Sequence, residues 1–351
     1  MKLVKTEDAV GKVLCHDITQ IIKDVTKDAV FRKGHIIREE DIPVLLDCGK
    51  ENVYVLELGE DGGNDVIHED DAASFLCDLC QGENLYRGNV KEGKIELFAE
   101  CDGLLKTDEA GVLAVNSAGE MMIASRHGNF PVKKGDKIAG TRIIPLVIEK
   151  EKLLAVKDKC KSGPLYKVLP FRHKKAAVIA TGSEILKGRI KDTFTPVIEG
   201  KLSEYDTEIV YKATPGDDHE KITEEILRAV NSYGADLVLC TGGMSVDPDD
   251  RTPLAIRNTG AEVVCYGAPV LPGAMFMLAY YNSSSAGNVS NIPVMGLPGC
   301  VMFHGRTIFD LILPRIMADD IVTGAEIAAL GTGGMCLGCE TCTFPNCGFG
   351  K

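Results

Sequence analysis

In the second half of the chain, short apolar runs alternate with amphipathic stretches. AAVIAT (176–181) reads as a buried strand, TPVIEGKLSEY (195–205) as a helix with Thr195 as N-cap and Pro196 at its first position, and TEIVYKA (207–213) as a second strand. DDHEKITEEILRAVNSYG (217–234) places Ile222, Ile226 and Ala229 on one helical face and stops at Gly234. ADLVLC (235–240) predicts a third strand, TPLAIRNTG (252–260) a short helix and AEVVCYG (261–267) a fourth strand. IPVMGLPG (292–299) predicts a strand running into a helix over about 300–317. Strands alternating with helices imply an α/β fold with a parallel sheet covered on both faces and ligands at the carboxyl ends of the strands.

The first half follows another pattern. EEDIPVLLDCG (39–49) predicts a helix ending at Gly49 and NVYVLEL (52–58) a strand, giving an N-terminal α+β segment over 1–65. DDAASFLCDLC (70–80) predicts a brief helix. IELFAE (95–100), GVLAVN (111–116), EMMIASR (120–126) and TRIIPLVI (141–148) read as strands between glycine-bearing turns, a β-rich module over 66–156. Residues 157–175 hold prolines, a glycine and many cations without a period, and are expected to link this module to an α/β domain at 176–325. A cysteine-rich tail, 326–351, closes the chain.

Charge narrows the function. A formal charge of -12 argues against sequence-independent nucleic-acid binding, which rests on neutralising phosphates with Lys and Arg. No run approaches the roughly 18 apolar residues of a membrane span, and MKLVKTEDAVGK lacks the apolar core of a signal peptide, so a cytoplasmic protein is expected. Thirteen cysteines in such a chain suit reduced thiols and metal ligands better than a disulfide framework.

Candidate chemistry gathers in three loops after strands: ATGSEIL (180–186), CTGGMSVDPDD (240–250) and MGLPGC (295–300). In a parallel sheet all three open on one edge. Glycine there lets main-chain amides approach an anion, and a following helix adds a favourable dipole. Asp247, Asp249 and Asp250 are placed to hold a hard cation bridging to a phosphate; equally, Asp250 or Thr252 caps the helix beginning at Pro253. Asp217 and Asp218 carry the same ambiguity, since Asp217 with Glu220 fits a capping arrangement. Cys300, at the expected start of a helix, is a candidate soft ligand or low-pKa thiol, or a cysteine packed under its loop.

Taken together, the stretch from KKAAVIATGSEIL through ADLVLCTGGMSVDPDD to IPVMGLPG, about residues 174–318, resembles the molybdopterin-binding domain shared by molybdopterin molybdenumtransferases (the MoeA family) and molybdopterin adenylyltransferases (MogA-like). AVGKVLCHDIT near the start is similar to the opening of the transferase. The resemblance implies a three-layer α/β sandwich with a mostly parallel sheet, and molybdopterin, or its adenylylated form, as ligand. It implies ligand contacts at Thr181, Gly182, Ser183, Glu184, Asp218, Thr241, Gly242, Gly243, Leu297, Pro298 and Gly299. Asp247, Asp249, Asp250 and Ser245 would form the catalytic set with Mg2+. Molybdate or tungstate, molybdoenzyme acceptors and a homo-oligomer are implied with it. The sequence departs from the transferase pattern, however. Ser245 and Val246 are followed by Asp-Pro-Asp-Asp, closer to the CinA family, and Cys300 and Val301 replace the usual Asn-Pro after the LPG loop. The Met-Asp-Gly-Tyr-Ala signature of the transferase has no counterpart in 1–165, and its C-terminal β domain is not expected from residues 326–351.

Cys336, Cys339, Cys342 and Cys347 form C-x2-C-x2-C-x4-C, a spacing able to close on an iron–sulfur cluster or zinc. The lone C-x2-C of Cys77 and Cys80 is explained equally by two thiols on a buried helix face. Three functions therefore stand open: metal insertion into molybdopterin, a non-catalytic molybdopterin carrier or sensor, and CinA-like hydrolysis of a nucleotide pyrophosphate.

Overall fold

The computed structural model describes residues 2–22, 26–56, 65–160, 162–285 and 288–351. It divides into two compact units: residues 1–98, 108–126 and 136–167 form the first, and 99–107, 127–135 and 168–351 the second.

In the first unit, Lys2–Lys5 and Val13–Leu14 flank Asn52–Leu56 in an antiparallel sheet over Leu14, Ile37, Leu45 and Val53. The expected helix is present as Asp41–Asp47, with Gly49 at φ 73° beyond it. Residues 57 and 58 of the expected strand lie outside the described residues. A second sheet orders Met121–Ser125, Lys137–Ile143, Lys94–Ala99 and Leu85–Arg87, and the helix expected at 70–80 spans Glu69–Cys80.

Two expectations fail here. GVLAVN lies in a helix, Glu109–Asn116, because the Asp108 carboxylate accepts from the Gly111 amide at 2.9 Å and opens a helical turn. Asn116 then pairs its side chain with both main-chain groups of Ile123, at 2.8 and 2.9 Å. The run 141–148 is likewise two strands, Lys137–Ile143 and Val147–Glu149.

In the second unit the principal elements are β1 (Lys174–Ala180), α1 (Ser183–Leu186), α2 (Phe194–Leu202), β2 (Thr207–Ala213), α3 (His219–Tyr233), β3 (Leu237–Thr241), α4 (Thr252–Asn258), β4 (Glu262–Tyr266), β5 (Met277–Ser285), β6 (Asn288–Leu297), α5 (Ile308–Met317) and α6 (Gly324–Ala329). The sheet order is β2-β1-β3-β6-β5-β4. The first four strands are mutually parallel, β5 pairs antiparallel with β6, and β4 antiparallel with β5, so the sheet is mixed.

Alternate residues of the central strands enter separate cores, as a pleated strand covered on both faces requires. Ala176 and Val178 of β1 join Ile198 and Leu202 of α2 and Ile312 of α5, whereas Ala177 and Ile179 join Ile222 and Ile226 of α3 and Ile256 of α4. Burying each such aliphatic side chain contributes roughly 1.5–3 kcal/mol.

Two boundaries shift from expectation. α2 begins at Phe194, and its first amides are capped by Asp192, which accepts from the Phe194 and Thr195 amides at 2.9 and 3.1 Å; Thr195 is thus inside the helix. The helix expected over 300–317 is a 3-10 turn, Gly299–Met302, followed by α5, whose start is fixed by a capping box between Thr307 and Asp310. No helix among the described residues is long and apolar enough to cross a membrane.

Candidate functional site

Ala180, Thr241 and Leu297 stand opposite one another across β1, β3 and β6, at or next to the carboxyl end of each strand. The three glycine-bearing loops therefore start at one level on one edge of the sheet.

The first and middle loops are tied into a single block. Thr181 is buried, and both its amide and its hydroxyl donate to the Thr241 carbonyl, at 2.8 and 3.1 Å. Thr252, at the start of α4, donates its hydroxyl to the Gly242 carbonyl at 2.9 Å and its amide to the Gly243 carbonyl at 3.2 Å.

The glycines answer to this packing. Gly242 and Gly243 take φ of 85° and 57°, a left-handed backbone that favours glycine. A Cβ on Gly242 would stand 2.6 Å from the Thr181 carbonyl oxygen, and one on Gly243 would stand 2.7 Å from Thr252 Oγ1. Their bareness is thus required by loop-to-loop contact, a reason that the sequence pattern alone does not reveal. Gly182 has φ 134°, and a Cβ there would meet Glu184 Oε1 at 2.9 Å.

The acidic residues divide by task. Asp217 accepts the Ser183 amide at 2.7 Å and so reaches the first loop. Asp218 is the N-cap of α3, accepting from the Glu220 and Lys221 amides at 3.0 and 3.5 Å. The capping role expected for Asp217 with Glu220 is therefore performed by Asp218, and Asp217 instead reaches the first loop. In the middle loop, Asp250 accepts the Ser245 amide at 2.7 Å and donates its own amide to the Asp247 carbonyl at 2.9 Å, closing the turn. Ser245, Asp247 and Asp249 are exposed, as are Glu184 and the nearby cations Lys187, Arg189, Lys191 and Arg251.

The last loop packs Leu297 and Pro298 inside and leaves Gly299 exposed. Gly296 lets Met244 of the middle loop lie against β6, since a Cβ there would meet the Met244 sulfur at 2.5 Å. Tyr266 then donates its hydroxyl to the Met244 carbonyl at 3.1 Å. Cys300 is not an activated thiol: burial raises its pKa, and the segment it opens is a short 3-10 turn with little dipole to oppose that. Burial likewise pushes the Cys240 thiol, at the end of β3, up to about 12.

Among the described residues, no three His, Cys, Asp or Glu side chains stand close enough together to hold a metal ion. Neither the acidic loop nor the four tail cysteines form a ready cage. Cys339 and Cys342 are exposed, while Cys336 and Cys347 are half-buried. Sequence reasoning missed Thr252 and Met244 as parts of the site; only their positions flanking the loop's polar stretch hint at them.

Residues 177–318 match the family described as "Probable molybdopterin binding domain", and residues 3–57 match a "Domain of unknown function (DUF8806)". A molybdopterin molybdenumtransferase of Staphylococcus epidermidis is 28% identical over 134 residues, 36% of this chain and 32% of that protein. A CinA-like protein of Mycobacterium avium is 34% identical over 91 residues, 26% of this chain and 21% of that protein. The chain thus spans between about a fifth and a third of the length of these relatives. The crystal structure of the tungsten cofactor synthesizing protein MoaB from Pyrococcus furiosus superposes with a TM-score of 0.31 at 19% identity, over 42% of this chain and 89% of that one. Residues 177–318 are thus the part of the chain that is similar to the molybdopterin-binding domain family.

Proposed function

We propose that this protein binds the pterin dithiolene phosphate of molybdopterin on the shared edge of β1, β3 and β6, in the biosynthesis of a molybdenum or tungsten cofactor. The observation that carries the reading is the alignment of Ala180, Thr241 and Leu297, which brings three glycine-bearing loops to one edge of a domain of this family. Helices on both faces of the sheet agree with a three-layer sandwich.

The chain's own groups suit an anionic, partly apolar ligand. The hydroxyl of Thr241 is buried at this edge without a hydrogen-bond partner among the described residues, a condition that costs about 1–3 kcal/mol and that a ligand can relieve. Lys187, Arg189, Lys191 and Arg251 supply positive charge, and Met244, Leu297 and Pro298 an apolar floor. Asp247 and Asp249 fit Mg2+ only in the mode where one or two carboxylates share the ion with substrate phosphates, because Asp250 is committed to Ser245. Bound so, the ion would screen the phosphate charge. The chain's part is to position the phosphate and dithiolene and to hold the loops fixed.

On this reading the reaction is insertion of molybdate or tungstate into adenylylated molybdopterin. Calorimetric titration of anaerobically purified protein with molybdopterin and with its adenylylated form tests it, followed by turnover with molybdate and Mg2+. Preference for the adenylylated form with release of AMP supports insertion. Binding without turnover leaves a carrier, and no binding of either form overturns the proposal.

The CinA-like match and the Pro248-Asp249-Asp250 run favour a second reading, hydrolysis of a nucleotide pyrophosphate. Turnover of such a compound in the absence of any pterin distinguishes it.

A further inference from the structure

The cysteine-rich tail is folded. Residues 331–351 contain no helix and only an isolated bridge, Leu271 to Met335, yet they return to the body of the second unit. Phe349 is 4% exposed in the core shared with α5, and Cys336, Phe344 and Cys347 pack against that core. The Cys336 amide donates to the Leu271 carbonyl at 2.8 Å, and the Gly350 amide to the Gly333 carbonyl at 2.9 Å. A Cβ on Gly350 would stand 2.5 Å from Leu311, so the terminal turn is pressed onto α5.

Between the tail and the segment 304–306 lies a cavity of about 330 Å3, whose walls include all four tail cysteines together with His304 and Arg306. Four cysteines lining one cavity, within a stretch that has almost no ladder of its own hydrogen bonds, suit a metal-stapled loop. We propose that Cys336, Cys339, Cys342 and Cys347 together bind one thiophilic metal centre, zinc or an iron–sulfur cluster, in this cavity.

The Arg306 guanidinium, on the same cavity wall, lies over the Phe344 ring at 5.2 Å and is held by Asp310 and Glu204, each at 3.0 Å. The volume is roughly that of ten waters at about 30 Å3 each, so it exceeds the need of a single ion and leaves room for a small cluster. As folded, the sulfurs are not yet gathered on a common point. Closing the centre means turning in the two exposed thiols, Cys339 and Cys342, which follow Gly338 with its φ of 64°. Binding Zn2+, or taking up a preformed cluster, would displace a proton from each thiol that enters as thiolate, with no redox step.

The test uses the full chain purified without oxygen or added metal. Zinc, iron and acid-labile sulfide are measured per chain, and metal-free protein then competes with a chromophoric chelator for Zn2+. The expected result is either near-stoichiometric zinc or iron with matching sulfide, and at least about tenfold weaker Zn2+ retention in Cys339→Ser and Cys342→Ser. Both substitutions are at exposed positions, so thermal melting of the metal-free variants should match that of the metal-free parent; Cys101→Ser serves as a control that keeps the metal. Absence of metal with no Zn2+ competition overturns the proposal, as does metal retention that survives loss of either exposed cysteine. Four tail thiols found paired as disulfides in the intact protein would overturn it too.

Discussion

Thr181 Oγ1 and Thr252 Oγ1 lie 3.2 Å apart, joining residues 71 positions distant in sequence and locking the first glycine loop to the start of α4. Thr252 is fully buried, and its hydroxyl also donates to the Gly242 carbonyl. Replacing it with Val keeps the shape but strands that carbonyl and removes the hydroxyl beside Thr181, whose own hydroxyl keeps its bond to the Thr241 carbonyl. The expected cost is about 1–3 kcal/mol in urea denaturation, with weaker molybdopterin binding, whereas Thr252→Ser keeps most of both. Equal behaviour of the Val and Ser variants would mean that the hydroxyl contact does not hold the loops.

How much of this could be read beforehand depended on the range of the interaction. The helix α3 was legible because its apolar face, its Asp cap and Gly234 are all local. The order of the loops was legible because parallel strands open at one edge. The Thr181 to Thr252 contact was not, since nothing in either local pattern announces a partner so far away. GVLAVN misled because five apolar or small residues before Asn116 satisfy a strand and a helix equally; the preceding Asp108 decided it. Strand β5, with its polar end YNSSS, lacks the β-branched signature and is stabilised by nine register pairs to β6. The cap was read at Asp217 and lies at Asp218 because adjacent carboxylates look alike until the backbone turns one toward Ser183.

That turn bears on ligand charge. Asp217 sits on the Ser183 amide, a donor that a ligand phosphate would be expected to use. Asp217→Asn retains an acceptor for that amide and removes one negative charge near the phosphate. Affinity for molybdopterin should rise several-fold at low salt, by about 1 kcal/mol, and the gain should shrink as salt is added. A salt-independent loss of affinity would mean that the phosphate is seated elsewhere.

Gly243→Ala combines two penalties. A left-handed backbone costs a side-chain-bearing residue about 1–2 kcal/mol, and the new Cβ meets buried Thr252 at 2.7 Å. The expected loss exceeds that of Gly200→Ala, where no atom lies within 4 Å and the helix gains propensity. Melting temperatures of the two variants give the comparison directly, and a Gly243 variant as stable as the Gly200 one would contradict the packing argument.

Thiol reactivity should follow burial. The thiolate is the reactive form, so a raised pKa slows alkylation at a given pH. In metal-free protein near pH 7.5, iodoacetamide should label the exposed Cys339 and Cys342 first, leaving Cys240 and Cys80 unlabelled. Linkage has the same sign. With the folded pKa of Cys240 at about 12 against an ordinary 9.0, stability is unchanged below pH 9 and declines as pH rises from 9 toward 12, because only the unfolded chain releases the proton there. Mass spectrometry of digests after timed labelling reads the order, and early modification of Cys240 would show that β3 opens locally.

The buried pair of Lys201 and Asp310, 2.7 Å apart, gives the sharpest stability test. Their side chains are 10% and 3% exposed, and Lys201 also donates to the Gly305 carbonyl at 2.8 Å. Asp310 is further held by Arg306 and by the Thr307 amide, so it keeps partners when Lys201 is lost. Lys201→Met should therefore cost about 3 kcal/mol, toward the lower end for breaking a buried pair. Arg306→Met should cost less, because that side chain is 25% exposed and solvent can replace part of its interaction. Guanidinium denaturation of both variants orders the two losses. If Arg306→Met proved the more damaging, the charge on Asp310 would be balanced mainly from the cavity side, and the loop from 304 to 307 would be the weaker support of α5.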